Sequence, residues 1–273
     1  MGETIGPGEA RAIAMLMRLA GRPAFPSALR RVLRTKMAFR TFLILNYPAN
    51  RPPTSEYHWI PDVALRQDYT THYLGGAYQL DPFFQYSLQP FRPGIYRLRD
   101  IAPDRFFASE YYQQYYQRTN LSDEVGALVP LSDGSVAGLS MSRGRADPPY
   151  SKAELKGLRL IEPVLVELLR QHGEGILTGA GLRQVATLPY VLDEAIYHYA
   201  AKAHAPGLTR REAEIAALVL QGHSSLSASL ILGISDQTVK VHRKNIYKKM
   251  QISSQAQLFL TLQKALLVET VGS

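Results

Sequence analysis

The chain has 273 residues, 46% of them hydrophobic and 20% charged, enough apolar residue for roughly two domains, each with its own core. It contains no cysteine, which excludes disulfides, zinc–thiolate sites and cysteine nucleophiles. A formal net charge of +8 favours a polyanionic partner. From residue 206 onward eight Lys/Arg face four Asp/Glu, so the last quarter of the chain carries half of the net charge.

The N-terminal stretch MGETIGPGEARAIAMLMRLAGR lacks a basic start followed by a long apolar run, so no secretory signal is expected. No window reaches about 18 uninterrupted apolar residues, so no membrane span is expected either; a cytoplasmic protein is the expectation. Residues 8–20 and 25–36 read as two helices separated by Gly21 and Pro23. Ala38 to Tyr47 is apolar and aromatic and reads as a buried strand before a proline-rich stretch. Residues 63–118 read as short helical pieces broken at Gly75, Pro82, Pro90, Pro93 and Pro103. The segment DEVGALVPLSDGSVAGLSMSR reads as a hairpin turning at Asp133-Gly134. Ser151 and Glu154 form a capping box that opens a long helix, which Pro163 should kink. Gly173, Gly175, Gly179 and Gly181 mark a linker, followed by a helical stretch with Leu192, Ile196 and Tyr199 on one face and a stop at Pro206-Gly207.

The tail has the clearest punctuation. Thr209-x-x-Glu212 is a second capping box, and Gly222 ends the helix it opens. A short helix over about 225–232 stops at Gly233, and Ser235 caps the next helix. Ser254-x-x-Gln257 caps a last helix carrying Leu258, Leu262, Ala265 and Leu266. At about 100° per residue, Val239, Ile246 and Met250 share one stripe of the third helix. Gln237, Lys240, Val241, Lys244 and Lys248 lie opposite, and Arg243 and Lys249 lie nearer the margins of the stripe. A helix, a short helix, a glycine turn and a basic helix make a helix-turn-helix. Its apolar stripe docks on the neighbouring helices, its basic side faces phosphates and base edges in a major groove, and Val241 is placed to touch a thymine methyl.

LTRREAEI, the Gly222-to-Gly233 spacing and GISDQTVKVHRKNIYKKMQISSQAQ resemble the LuxR/GerE-type DNA-binding domain, from Leu208 to about Leu267. The resemblance implies base contacts from Lys240, Val241 and Lys244, phosphate contacts from Thr238, Arg243 and Lys248, and dimerisation through 254–267. The second helix departs from the family pattern: SSLSASLILG places Leu226, Leu230 and Ile231 where exposed polar residues are usual.

The N-terminal part lacks the acidic pair, Asp and Lys of a phosphorylated receiver domain. Residues 60–172 are instead similar to the ligand-binding domain of solo or quorum-sensing LuxR-type regulators. In HYLGGAYQLDPFF, Tyr73 matches their Tyr and Asp81-Pro82 their Asp-Pro. Tyr69 stands where their Trp belongs, and the Tyr73-to-Asp81 gap is one residue shorter. The resemblance implies a small-molecule effector held by Tyr69, Tyr73 and Asp81, with an acyl-homoserine lactone as one alternative. Asp before Pro is equally a ready helix cap, and both roles stay open at this stage. The aromatics from Trp59 to Phe107 are either core or pocket lining, and the tyrosines of SEYYQQYYQ are either packing or a lid.

Catalytic and cofactor signals are poor. Gly138-x-Ser140-x-Ser142 lacks the last glycine of a nucleophile elbow, Gly179-x-Gly181 lacks a third glycine, and the histidines show no metal-ligand spacing. The expectation is an α+β chain without cofactor or metal, and not an enzyme. It has an α/β/α sensor domain with an antiparallel sheet over 1–172, a linker with a helix over 173–205, and an all-α four-helix helix-turn-helix domain over 206–273. The expected partners are double-stranded DNA bound at an inverted repeat, a small-molecule effector, a second copy of the chain and RNA polymerase. The sequence leaves a protein partner open as an alternative for the N-terminal domain.

Overall fold

The computed structural model describes residues 6–48, 51–117, 119–179, 192–203 and 207–268. Its first unit is organised by a five-stranded antiparallel sheet in the order β2-β1-β5-β4-β3. The strands are β1 (Thr41–Tyr47), β2 (Thr54–Trp59), β3 (Gly94–Arg97), β4 (Leu121–Pro130) and β5 (Val136–Gly144). The expected hairpin forms the centre: β4 and β5 pair from Leu121↔Gly144 to Pro130↔Val136, and Gly134 takes the turn at φ +82°. The edge strands β2 and β3 went unrecognised in the sequence because they are short and carry mostly polar or proline-flanked residues.

Period-two alternation gives the sheet two unlike faces. Phe42 and Ile44 of β1, Val125, Ala127 and Val129 of β4, and Ala137, Leu139 and Met141 of β5 point to one core. That core is closed by α1 (Pro7–Leu19), α2 (Phe25–Arg34), α6 (Lys152–Leu160) and α7 (Glu162–Gly179) through Leu16, Phe25, Leu29, Leu33, Leu158, Leu165 and Leu169. Each fully buried side chain of this kind contributes roughly 1.5–3 kcal/mol. The opposite face is covered by short pieces: α3 (Val63–Asp68), a π-helical turn (Tyr69–Tyr73), α4 (Pro82–Ser87), α5 (Leu98–Ile101) and a second π-helical turn (Tyr112–Tyr116). This is the α/β/α arrangement expected from the sequence.

Arg143, at the end of β5, ties the sheet to α6. Its guanidinium donates to the carbonyls of Ala38 and Pro148 (both 2.9 Å) and to Glu154 (2.5 Å), and lies 4.1 Å over the Tyr150 ring. Glu154 is the same residue that completes the Ser151 capping box. Pro163 does more than kink the helix: the chain breaks at Ile161, and Pro163 sits in the first turn of α7, where its missing N–H costs nothing.

Gly173 and Gly175 do not form a loop. They lie inside α7, whose last residue is Gly179; Gly181 lies outside the described residues. Gly175 is needed for close approach, since a Cβ there would sit 2.6 Å from the Cα of Gly21 in the α1–α2 turn. Beside it the buried His172 accepts the Gly21 N–H at 3.0 Å and stacks on Phe25 at 4.3 Å. Burial lowers the His172 pKa to about 4, consistent with a neutral acceptor.

The second unit is helical: α8 (Leu192–Ala203), α9 (Arg210–Gln221), α10 (Ser225–Leu232), α11 (Asp236–Lys249) and α12 (Gln255–Val268). Its core joins Ile196 of α8, Ile215 and Val219 of α9, Ala228 of α10, Val239 and Ile246 of α11, and Leu258 and Leu262 of α12.

Gly175→Ala is expected to force the α1–α2 turn off α7 and to cost roughly 1–3 kcal/mol. Gly157→Ala, in α6 with open space around the position, should instead gain up to about 1 kcal/mol from helix propensity. Urea denaturation of both variants checks the pair; equal effects of the two would contradict the packing described.

Candidate functional site

The basic helix is positioned by four caps. Thr209 Oγ1 accepts the Glu212 N–H at 3.2 Å and the Glu212 carboxylate returns to the Thr209 N–H at 2.8 Å, which fixes the start of α9. Gly222 (φ +97°) and Gly233 (φ +64°) end α9 and α10 in the left-handed conformation that disfavours a side chain. Ser235 Oγ accepts the Thr238 N–H at 3.0 Å and starts α11. Val239, Ile246 and Met250 are buried as the stripe requires.

Gln237, Thr238, Lys240, Val241, Lys244, Asn245 and Lys248 are exposed together on the far side of α11. Val241 is 50% exposed despite being apolar, which leaves its methyls free for contact. Lys240 is held by Asp236 at 2.6 Å one turn earlier, a solvated pair that is cheap to break. Arg243, half-buried at the margin, donates to Ser225 Oγ at 3.2 Å and so links α11 to the start of α10. Lys249, near the margin of the stripe, turns inward: its Nζ lies 2.7 Å from Glu212, whose side chain is 5% exposed. Burial alone would raise the Glu212 pKa, but Lys249 and the Thr209 N–H and hydroxyl outweigh it and hold the carboxyl below its ordinary range. Leu226, Leu230 and Ile231 do stand exposed on α10, Leu230 at 77%.

The two units touch at the α9–α10 turn. The Arg105 N–H donates to the Gly222 carbonyl, and the Ser224 N–H donates to Asp104 Oδ1, both at 2.9 Å. A Cβ at Gly222 would lie 2.7 Å from the Cα of Phe106. Asp104 therefore places a carboxylate at the N-terminus of the second helix of the helix-turn-helix, a position favourable for an anion.

A second candidate site lies under the polar face of the sheet. A cavity of about 40 Å³ is bounded by Tyr47, Ser140 and Glu124 of the strands and by Tyr69, Tyr73, Asp81, Tyr115 and Tyr116 of the covering segments. Both π-helical turns deliver tyrosines to it; such turns widen a helix locally and re-aim its side chains. Tyr69 and Tyr73 stack at 5.4 Å, and Tyr73 meets Tyr115 at 6.0 Å.

Asp81 caps a helix and also lines the cavity. Its Oδ1 accepts the Phe83 N–H at 2.9 Å and caps α4, while its Oδ2 accepts the Tyr73 hydroxyl at 2.6 Å inside the cavity wall. Glu124, in the middle of the central hairpin, accepts Ser140 Oγ at 2.5 Å and the Tyr116 hydroxyl at 2.9 Å. Burial raises the Asp81 pKa to about 6, opposed by the hydrogen bonds from Tyr73 and Phe83. Burial, together with repulsion from Asp81, raises that of Glu124 to about 8. Tyr69 is 2% exposed and its hydroxyl makes no hydrogen bond of ordinary geometry; burial lifts its pKa to about 12, moderated by the nearby Ser55.

The structure thus brings Tyr69, Tyr73 and Asp81 together. Sequence reasoning missed Glu124, Ser140 and Tyr116 as a set. The available signal was one acid at a position of β4 whose neighbours two apart are apolar or small. Other aromatics serve elsewhere. Trp59 packs on the opposite face against Arg30 and Arg34, 4.6 and 4.8 Å from its ring, and Phe107 is largely exposed.

The family described as bacterial regulatory proteins, luxR family, matches residues 206–262. Over 195 residues the chain is 32% identical to the putative HTH-type transcriptional regulator in the exeN 3′ region of Aeromonas salmonicida, spanning 70% of this chain and 97% of that protein. Over 53 residues it is 49% identical to the response regulator protein TmoT of Ectopseudomonas mendocina, spanning 19% of this chain and 24% of that one. The crystal structure of the VqsR LBD domain from Pseudomonas aeruginosa superposes with a TM-score of 0.53 at 23% identity, covering 62% of this chain and 99% of that domain. That last likeness shows a shared fold for the N-terminal unit.

A carboxyl with a raised pKa in the folded state adds stability that is fully present below its unfolded pKa and is lost as pH rises through the folded value. The wild-type chain should therefore lose stability from Glu124 between about pH 4.5 and pH 8. Glu124→Gln keeps the acceptor for Ser140 or Tyr116 but cannot ionise. Its stability relative to wild type should rise across that range, by up to roughly 1.4 kcal/mol per pH unit. Urea midpoints at several pH values check this; parallel profiles for the two proteins would contradict it.

Proposed function

The chain belongs to the luxR family of bacterial regulatory proteins and is a transcriptional regulator rather than an enzyme; from that premise we propose that it is a ligand-responsive regulator that reads an inverted-repeat operator as a homodimer. The sensor unit runs to the end of α7 at Gly179, and α8 to α12 form the DNA-binding unit. The observation that carries the DNA-binding half of this reading is the outer face of α11, where Lys240, Val241, Lys244 and Lys248 stand exposed opposite a buried stripe. Lys240, Val241 and Lys244 reach base edges, and Thr238, Arg243 and Lys248 reach phosphates. Arg243 suits a phosphate contact because its tie to Ser225 fixes the guanidinium beside the start of α10.

The sensor half of the reading rests on the polar cavity, with Tyr69, Tyr73 and Asp81 as effector contacts and Glu124 added to them. At about 40 Å³ the cavity has room for only a few waters, so an effector of ordinary size enters as the covering segments part. Those segments lead from the Tyr112–Tyr116 turn to Phe106 and Asp104, which hold the α9–α10 turn. Movement of the tyrosine turn on binding is the route by which the effector changes the placement of α11. Leu258 and Leu262 of α12 are buried in the core of the helical unit, and Leu260, exposed on the other side of the helix, serves the second copy. RNA polymerase is the partner expected of such a regulator once bound to its operator.

Binding to operator and scrambled duplex across a salt series separates the roles assigned on α11. Lys244→Ala should cost roughly 1–3 kcal/mol on the operator and relax specificity at one position. Arg243→Ala should weaken both duplexes alike and reduce the salt slope by about 1. Ile246→Ala, the structural control, should destabilise the whole helical unit by roughly 2–5 kcal/mol. An equal loss on both duplexes for Lys244→Ala would mean that this helix lies differently in the groove. Sedimentation with operator DNA should give two chains per duplex; one chain bound to a single half-site with full affinity would exclude the dimer.

A further inference from the structure

Two buried acids face one cavity without a cation between them. Asp123, one residue from Glu124, meets Arg97 at 3.7 Å and Arg99 at 3.9 Å. Among the described residues neither Asp81 nor Glu124 has a basic partner, and no residue lining the cavity is basic. Their present partners are hydroxyls and one backbone N–H, each taking one acceptor position on a carboxylate oxygen. A carboxylate has about four such positions, so roughly half of the acceptor capacity is unused by the bonds described. A buried acid pair of this kind is costly unless a positive charge or a proton offsets it.

Two further features select the kind of charge. The Tyr69 hydroxyl, buried and with no hydrogen bond of ordinary geometry among the described residues, belongs to a residue that lines the same cavity. The near-parallel Tyr69 and Tyr73 rings, with Tyr115 beside them, present aromatic surface, which attracts a cation electrostatically. The remaining walls include Leu43, Leu45, Ile60 and Leu65, which suit a short hydrocarbon chain and not a hydrated metal ion. Among the described residues no three His, Cys, Asp or Glu are grouped to hold a metal.

We propose that the effector cavity takes a small organic ammonium ion, whose N–H groups bond to Asp81 and Glu124 and to the Tyr69 oxygen while its charge lies against the tyrosine rings. This inference rests on the reading of the cavity as the effector site, and it assigns the Asp81–Glu124 pair as the groups that set the charge of the ligand. One ammonium charge offsets one carboxylate and a retained proton offsets the other, whereas a neutral acyl amide leaves the ionised carboxyl without a charge partner.

The test is isothermal titration and thermal shift of the full chain with n-butylamine, 1-butanol and N-butylacetamide at matched pH and ionic strength. These three probes share a chain and differ in charge. Butylammonium should bind saturably and at least about tenfold more tightly than the alcohol or the amide. Glu124→Gln and Asp81→Asn, which preserve size, should each weaken the amine by about tenfold or more and leave the alcohol little affected. The wild-type comparison stands even if a variant fails to fold. Equal or tighter binding of the alcohol or amide overturns the ammonium assignment and leaves the effector cavity intact. Saturation by potassium or calcium chloride alone also overturns it, in favour of an inorganic ion. Absence of saturable binding by all three organic probes sinks both readings.

Discussion

The alternation of side chains along β4 and β5 is the constraint from which the rest of the N-terminal unit follows. Asp123–Pro130 of one strand and Val136–Arg143 of the other share a register, and every second position there is committed to one face. On one face Val125, Ala127, Val129, Ala137, Leu139 and Met141 make that commitment apolar, which attracts the amphipathic helices α1, α2, α6 and α7. On the other it places Glu124, Gly126, Leu128, Ser140 and Ser142, a surface too polar for a long apolar helix to seal. Short helical pieces cover it instead, and they leave a cavity where polar groups from both sides meet. A one-residue slip of the hairpin would carry Glu124 into the apolar core and Val125 into the cavity.

Electrostatics then separates the acids by their neighbours. Glu212 and Glu154 each complete a capping box and meet a cation, and both are held below the ordinary carboxylate range although burial opposes this. Asp81 and Glu124 lie deeper, meet only neutral donors, and are raised. The same side-chain chemistry thus serves as a structural tie in one place and as a poised acceptor in another. What differs is whether the tertiary structure brings a lysine or arginine to it.

Among the described residues, backbone N–H bonds at Gly222 and Ser224 join the helical unit to the sensor unit, with His223 also near Asp104. Both fall on the turn that sets the angle between α9 and α10, and through Arg243 and Ser225 that turn is linked to α11. The apolar core is also continuous across the two units, from Phe83 and Phe106 to Ile215 and Val219, which suits a regulator whose two halves must influence each other.

The sequence by itself determined whatever depends on neighbours a few residues apart. The capping boxes at Thr209 and Ser151, the glycine stops at Gly222 and Gly233, the Asp133-Gly134 turn and the buried stripe of α11 are all local, and all are read from spacing. Tyr73 and Asp81 were legible for the same reason, as parts of one short motif. Only the tertiary structure decided that Glu124 joins them, since the hairpin and the motif are brought together by sheet packing across some forty residues. It alone decided that Lys249 turns inward to Glu212, that Gly175 serves a backbone crossing at Gly21 and not a linker, and that the short edge strands β2 and β3 pair at all. Each of these depends on a partner distant in the chain, and composition or periodicity carries no record of which distant group a side chain will meet.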